Sequence, residues 1–357
     1  MPVRSKRNWL LSAAGISALA VFSGLFLWWN TNLLGDDEFC DGAVTSAELA
    51  SVLDTKGRLS ATSSVGDSMP GFSCSVQRTS KFLGAAPMEI QMKTAAQEPD
   101  FQFQTHVWKN PSAMSFFSNG ATGAVSGERG WVLLPEACRG KVSTFSPGGM
   151  SRQTATNVRT VEAVVKQGTV DRAELAKTLV KAAQRIADEA GCAAGGATEE
   201  PRLQAVSEAP TDPGSACGLA GFTLPPAALV KDEATLGKEQ VSGSMPGTWA
   251  CGMHLAGNTK GVIWFAASSD LRLVDRILLK EGAFEDLPGG AGVIERQQHA
   301  AVLTCGTGKI YVSMRWSTEY QRALYKRGIS VSREMFQSFV DSAGKKFQCG
   351  AVQLPPS

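Results

Sequence analysis

The sequence predicts an α+β fold: two homologous domains, each an antiparallel sheet packed against a C-terminal helix and stapled by two disulfides, after one N-terminal transmembrane helix. Three observations predict it. Eight cysteines fall into two sets of four with the same order and context. Strand-like alternation recurs in both halves, and each half closes on a helix-like segment that ends in a cysteine.

The amino end comes first. Residues 1–8 carry Arg4, Lys6 and Arg7, and the run from Trp9 to Trp29 has no charge at all. At about 1.5 Å per residue that run spans roughly 30 Å, the thickness of a bilayer core. Trp9 at one end and Trp28 and Trp29 at the other stand where interfacial aromatic belts are found. Asp36, Asp37 and Glu38 follow, so the positive-inside rule puts residues 1–8 in the cytoplasm and the bulk of the chain outside. The expectation is a single-pass protein of the plasma membrane, anchored through residues 9–29. A cleaved signal peptide has a shorter apolar region and small residues at its cleavage site, whereas this run ends in two tryptophans. A lipobox is absent, because Cys40 follows Asp37-Glu38-Phe39.

A chain of 357 residues suggests two globular units, and 43% hydrophobic against 19% charged residues suffices for real cores. A net charge of +2 with no basic stripe argues against a nucleic-acid partner. An even number of cysteines suits an oxidising compartment. Cys40 to Cys74 spans 34 positions, and so does Cys217 to Cys251. Both cysteine sets are in step with a repeated segment, Ser68-Met69-Pro70-Gly71 and Ser244-Met245-Pro246-Gly247. Glu128-Arg129 begins 10 residues before Cys138, and Glu295-Arg296 begins 10 before Cys305. The expected domains are 37–193 and 215–352, joined by an Ala-, Gly-, Pro- and Glu-rich linker over 194–214.

Within the first half, Thr45-Ser46-Ala47-Glu48 is a capping box that opens a helix through Leu49, Val52 and Leu53. Its counterpart carries Thr223 with Pro225 and Pro226, tolerated in a first helical turn. Strands are expected over 72–77, 88–94, 131–134 and 157–165, then over 248–255, 261–267, 300–305 and 309–316. In the last, Ile310, Val312, Met314 and Trp316 alternate with Tyr311, Ser313 and Arg315, the period of a half-buried strand. Leu175, Leu179, Ala182, Ala183, Ile186 and Ala190 mark the first terminal helix, and Phe336, Phe339, Val340, Ala343 and Phe347 the second.

Four cysteines per half allow three pairings. The constant 34-residue spacing favours first with second and third with fourth: Cys40 with Cys74, Cys138 with Cys192, Cys217 with Cys251, Cys305 with Cys349.

A cysteine, a short capped helix, then Gly-rich residues and a second cysteine beside an aromatic (Cys40, Thr45 to Leu49, Gly71-Phe72-Ser73-Cys74) resembles the small cell-envelope lipoproteins of unknown function in actinobacteria. The second copy, Cys217, Pro225-Pro226-Ala227 and Gly247-Thr248-Trp249-Ala250-Cys251, is similar to them as well. The resemblance covers roughly the first 40 residues of each half and implies an envelope location. Their lipid anchor does not carry over, since this chain lacks the lipobox and is tandem.

Several motifs carry both a chemical and a plainer reading. Gly66-Asp67-Ser68 resembles the Gly-Asp-Ser block of a hydrolase family, whose base comes from an Asp-x-x-His. His106, His254 and His299 have no aspartate three residues before them, and the second copy reads Ser242-Gly243-Ser244. A backbone corner that delivers Phe72 and Trp249 to the core is the preferred reading. No Cys-x-x-Cys occurs, and Cys251-Gly252-Met253-His254 has Gln77 at the equivalent spacing, so no metal is expected. Gly289-Gly290-Ala291-Gly292 lacks the lysine of a phosphate loop, and no cofactor is expected. Asp270, Asp275, Glu281, Glu285 and Asp286 read as a solvated acidic surface; Trp108, Trp131, Trp249, Trp264 and Trp316 read as core. These features together predict a membrane-anchored extracytoplasmic binding or accessory protein without catalytic activity, whose partner is an envelope protein, lipid or glycan. The alternative is an envelope-acting serine hydrolase using Ser68.

Overall fold

The structure, a computed structural model, describes residues 3–356 apart from 33–34, 55–56, 67–68, 80–87, 102–106, 147–148, 151–155, 194, 196–198, 230–235, 256–261, 298 and 327–329. The side chains of 3–13, 146, 149 and 150 are also outside the description. Helix α1, Val3–Asn30, contains the uncharged run. Among the described residues no helix is long and apolar enough to cross a membrane; residues 9–13 of the run lie outside the described side chains. Ile16, Leu19, Phe22 and Phe26 on α1 are exposed. Its end is docked: Arg58 donates to the Trp28 carbonyl at 2.8 Å and stands 5.0 Å over the Trp28 ring.

The remainder is α+β with antiparallel sheets and four disulfides. A two-stranded ribbon, β1 (Glu38–Phe39) and β2 (Val44–Thr45), leads into α2 (Ser46–Val52). The capping box forms as expected, with Glu48 N donating to Thr45 Oγ1 at 3.3 Å and Thr45 N donating to Glu48 Oε2 at 2.9 Å. The first sheet is built from β3 (Leu59–Val65), β4 (Phe72–Arg78), β5 (Glu89–Gln97), β6 (Ser115–Phe117), β7 (Gly123–Val125) and β8 (Arg129–Leu133). A second short ribbon, β9 (Phe145–Ser146) with β10 (Gly149–Met150), precedes the last strand of the sheet, β11 (Val158–Gln167). The order is β3-β4-β5-β11-β8-β7-β6. Helix α3 (Arg172–Glu189) follows β11 and lies on this sheet, capped by Asp171, which accepts from Ala173 N and Glu174 N.

The second sheet is built from β12 (Val206–Pro210), β13 (Leu236–Gly243), β14 (Trp249–Leu255), β15 (Val262–Ser268), β16 (Phe284–Asp286), β17 (Gly292–Glu295), β18 (Ala300–Cys305) and β19 (Gly308–Trp316). Its order, β12-β13-β14-β15-β19-β18-β17-β16, repeats that of the first sheet once β12 is set aside. Helix α4 (Leu271–Leu278) interrupts the strands, and α5 (Thr318–Tyr325) and α6 (Ser332–Lys346) follow them.

Three cores hold these parts together. One lies between the first sheet and α2 and α3, with Phe72, Met92, Val161, Leu179 and Ile186. A second lies between the other sheet and α6, with Trp249, Phe265, Met314 and Phe339. The third joins the opposite faces of the two sheets: Phe116, Trp131 and Leu133 from one, Ala250, Val302 and Tyr311 from the other, and Leu273, Val274 and Ile277 of α4. The result is four layers, helix, sheet, sheet, helix. Trp108 and Trp131 stack within the middle layer with ring centroids 4.3 Å apart.

This packing corrects four expectations. β19 is not half-buried: Tyr311 and Ser313 are as enclosed as Ile310 and Val312, because the first sheet covers their face. The segment after Thr223 forms only a 3₁₀ turn, Pro226–Ala228, instead of a helix. Asp270 is not a solvated acid, since it caps α4 by accepting from Arg272 N at 3.0 Å and pairs with the Arg272 guanidinium at 2.6 Å. Val206–Pro210, within the Pro- and Glu-rich connection, is an edge strand hydrogen-bonded to β13.

Candidate functional site

The cysteines are all paired, and the described part of the repeated corner packs against the cores. The disulfides are Cys40–Cys74, Cys138–Cys192, Cys217–Cys251 and Cys305–Cys349, each closing within its own half. Cys251 is thereby committed to Cys217, and among the described residues no group of three metal-ligating side chains occurs. At the first corner Gly71 has φ 149°, and Pro70 O accepts from Ser143 N at 2.8 Å. Phe72 and Trp249 enter the two helix-side cores. Ser68, Asp67 and His106 lie outside the described residues. His299 Nε2 is 2.9 Å from Ser332 Oγ, but its charged neighbour is Arg315; burial and that positive charge lower its pKa. A histidine base is oriented by a carboxylate in the familiar nucleophilic arrangement, and among the described residues no carboxylate is hydrogen-bonded to His299.

Two clefts open where the halves meet. In the first, Asp100 pairs with Arg315 beside Glu98, Glu295 and His299, around a space of about 410 Å³. Burial raises the Glu295 pKa above the usual carboxylate range, and the Arg315 charge opposes the rise. Asp100 Oδ1 is buried with no hydrogen-bond partner. The cleft is polar and contains one ion pair already neutralised within itself.

The second cleft is built differently. Arg139 and Arg159 of the first half converge on Arg272 and Arg276 of α4, around a narrow space of about 20 Å³ that Asn157 and Glu136 also line. The 3₁₀ turn Glu136–Cys138 and the start of β11 supply one wall; α4, capped by Asp270, presents its two arginines from the other. Arg276 pairs with Glu136, and Arg272 is bidentate to Asp270 while reaching the Leu133 carbonyl at 3.5 Å. Burial would raise the Asp270 pKa, but Arg272 holds it below the usual range. Arg159 is different again. It is 4% exposed, and among the described residues its buried Nε and Nη1 donors have no hydrogen-bond partner. Burial, reinforced by the charge of Arg139, lowers its pKa.

This narrow end continues into a wider groove of about 520 Å³, with which it shares Leu133, Pro135, Glu136 and Arg272. Val132, Val180, Ala183 and Ala187 give the groove an apolar side, while Gln184 and Asp188 are polar. The sequence offered no signal for this cluster, because its four arginines lie as far apart as residues 139 and 276 and belong to no motif. The tryptophans divide. Trp108, Trp131 and Trp249 are buried, whereas Trp264 and Trp316 are half-buried and Trp316 lines the polar cleft. Comparisons with protein-family models, with curated proteins and with solved structures find no match for this chain.

Proposed function

We propose that this chain is a membrane-anchored extracytoplasmic binding or accessory protein of the cell envelope, made of two copies of one α+β unit and without catalytic activity of its own. The uncharged run at 9–29 and the basic residues before it support the anchor and its orientation. Matching strand order in the two sheets and equal 34-residue spans of the first bridge in each half support duplication. The observation that carries the binding role is the groove beside α3, which ends among arginines contributed by both halves. Ligand sites favour such concave junctions with an apolar wall and a few convergent polar groups.

Native mass spectrometry of the full-length chain, extracted from membranes in mild detergent, tests the binding role. A stoichiometric small molecule that is lost from Gln184→Trp, which fills the groove, is the expected result. A chain that carries nothing in any detergent, or the same load in the variant, overturns it. Topology has a separate test. A membrane-impermeant maleimide is expected to label Glu281→Cys and to spare Ser5→Cys in intact cells; the reverse pattern overturns the orientation.

A further inference from the structure

We propose that the polar cleft where Asp100 meets Arg315 binds an uncharged sugar ring, one unit of a glycan. This site is separate from the groove beside α3 and does not rest on it. Space is the first requirement, and the cleft measures about 410 Å³, inside the roughly 300–1,000 Å³ range of small-molecule sites.

Asp100 carries the argument furthest. Its side chain is 8% exposed, and its Oδ2 accepts from Arg315 Nη2. Its Oδ1 is buried and, among the described residues, has no hydrogen-bond partner. Arg315 already answers the charge, so what Oδ1 lacks is a donor and not a cation. A hydroxyl supplies that donor and brings no charge. The rest of the lining agrees. Glu98 and Glu295 stand with Lys280 and Arg315, so a strongly charged ligand of either sign meets a like charge there. Gln297 and Gln321 each offer an acceptor and donors, which suits hydroxyls that do both. Burial raises the Glu295 pKa and so favours a carboxyl that donates as well as accepts. β19 ends at Trp316, so Arg315 and Trp316, which alternate across the strand, both reach the cleft. The half-buried Trp316 offers apolar surface to the C–H face of a ring whose hydroxyls face Asp100 and Arg315.

The test uses the full chain in a detergent without a sugar headgroup. Ligand-observed saturation-transfer NMR is run with the methyl glycosides of glucose, galactose, mannose and N-acetylglucosamine. Sorbitol, ethanolamine and glucuronate are the open-chain, cationic and anionic controls. Transfer to at least one glycoside and to none of the controls is expected, strongest on the C–H protons of one ring face. Gln321→Trp, at an exposed position of α5 that narrows the cleft without entering a core, is expected to abolish it. Asp100→Asn, which removes a charge-assisted acceptor, is expected to raise Kd about tenfold. Gln184→Trp, which fills the groove beside α3, is expected to leave glycoside binding unchanged. No transfer to any glycoside, equal transfer to any control, or binding that survives both Gln321→Trp and Asp100→Asn overturns the proposal. Loss of binding in Gln184→Trp without loss in Gln321→Trp places the sugar in the groove and overturns this site as well.

Discussion

Glu48 and Glu162 are two carboxylates withdrawn from water whose surroundings push them in opposite directions. For Glu48 burial acts upward, but two hydrogen bonds from Arg185 at 2.7 Å each, the Thr45 amide and Lys181 hold its pKa at about 2. Its folded value lies below its unfolded one, so its contribution is complete above the ordinary carboxylate range and is lost as pH falls towards 2. Glu48→Gln is expected to lower stability at neutral pH by about 1–3 kcal/mol, with the deficit shrinking in acid. Urea unfolding across that pH series reads it directly. Glu162 is 1% exposed, and burial raises its pKa despite Lys93 at 3.9 Å and bonds from Gln97 and Thr160. Here the sign reverses: stability is fully present below the carboxylate range and declines as pH rises through the folded value. Glu162→Gln keeps an acceptor for Gln97 and Thr160, removes the charge, and is expected to gain about 1 kcal/mol at neutral pH and nothing in acid. Equal stability of parent and variant at every pH would show that Lys93 compensates the burial in full.

At the scale of elements, the corner before β4 is tightly constrained. A Cβ on Gly71 would lie 2.5 Å from the Ser143 carbonyl oxygen, which also accepts from Thr94 Oγ1 at 2.7 Å. Its counterpart Gly247 would meet only the Ser244 carbonyl, at 3.0 Å. Gly71→Ala is therefore expected to destabilise by about 2 kcal/mol and Gly247→Ala by less, as measured by the shift in denaturant midpoint. The sequence made β4, β5, β8, β11, β14, β15, β18 and β19 legible to within a few residues, because buried strands write their apolar periodicity plainly. β3 has no such signal: its serines and threonine lie at a sheet edge, and all six residues after Leu59 are exposed. α4 was hidden by its acidic neighbours, although Asp270 followed by Leu273, Val274 and Ile277 is a cap with a helical stripe. The arginine-lined cleft had no such trace, since Arg159 and Arg276 come to line one space only through packing.

For the whole molecule, the decisive contact is the middle layer. Gly252 on β14 allows Ser112 to approach so closely that a Cβ there would stand 2.6 Å from Ser112 Oγ. Asp100–Arg315, Glu136–Arg276 and the bond from Ser242 to the Met114 carbonyl cross the same boundary. Gly252→Val is expected to wedge the halves apart while leaving both helix-side cores intact. With a protease site introduced at residue 197, the cleaved parent should elute from gel filtration as one species and cleaved Gly252→Val as two. Co-elution of the variant halves would show that the polar crossings suffice alone. The bridges stay clear of this boundary, with spans of 34, 54, 34 and 44 residues, all internal to a half. That arrangement governs how the chain can mature. Eight thiols released together could join in about a hundred ways, but four have only three. A chain that emerges from its amino end presents Cys40, Cys74, Cys138 and Cys192 before Cys217 comes free, so order of emergence sorts partners that chemistry alone would leave to chance.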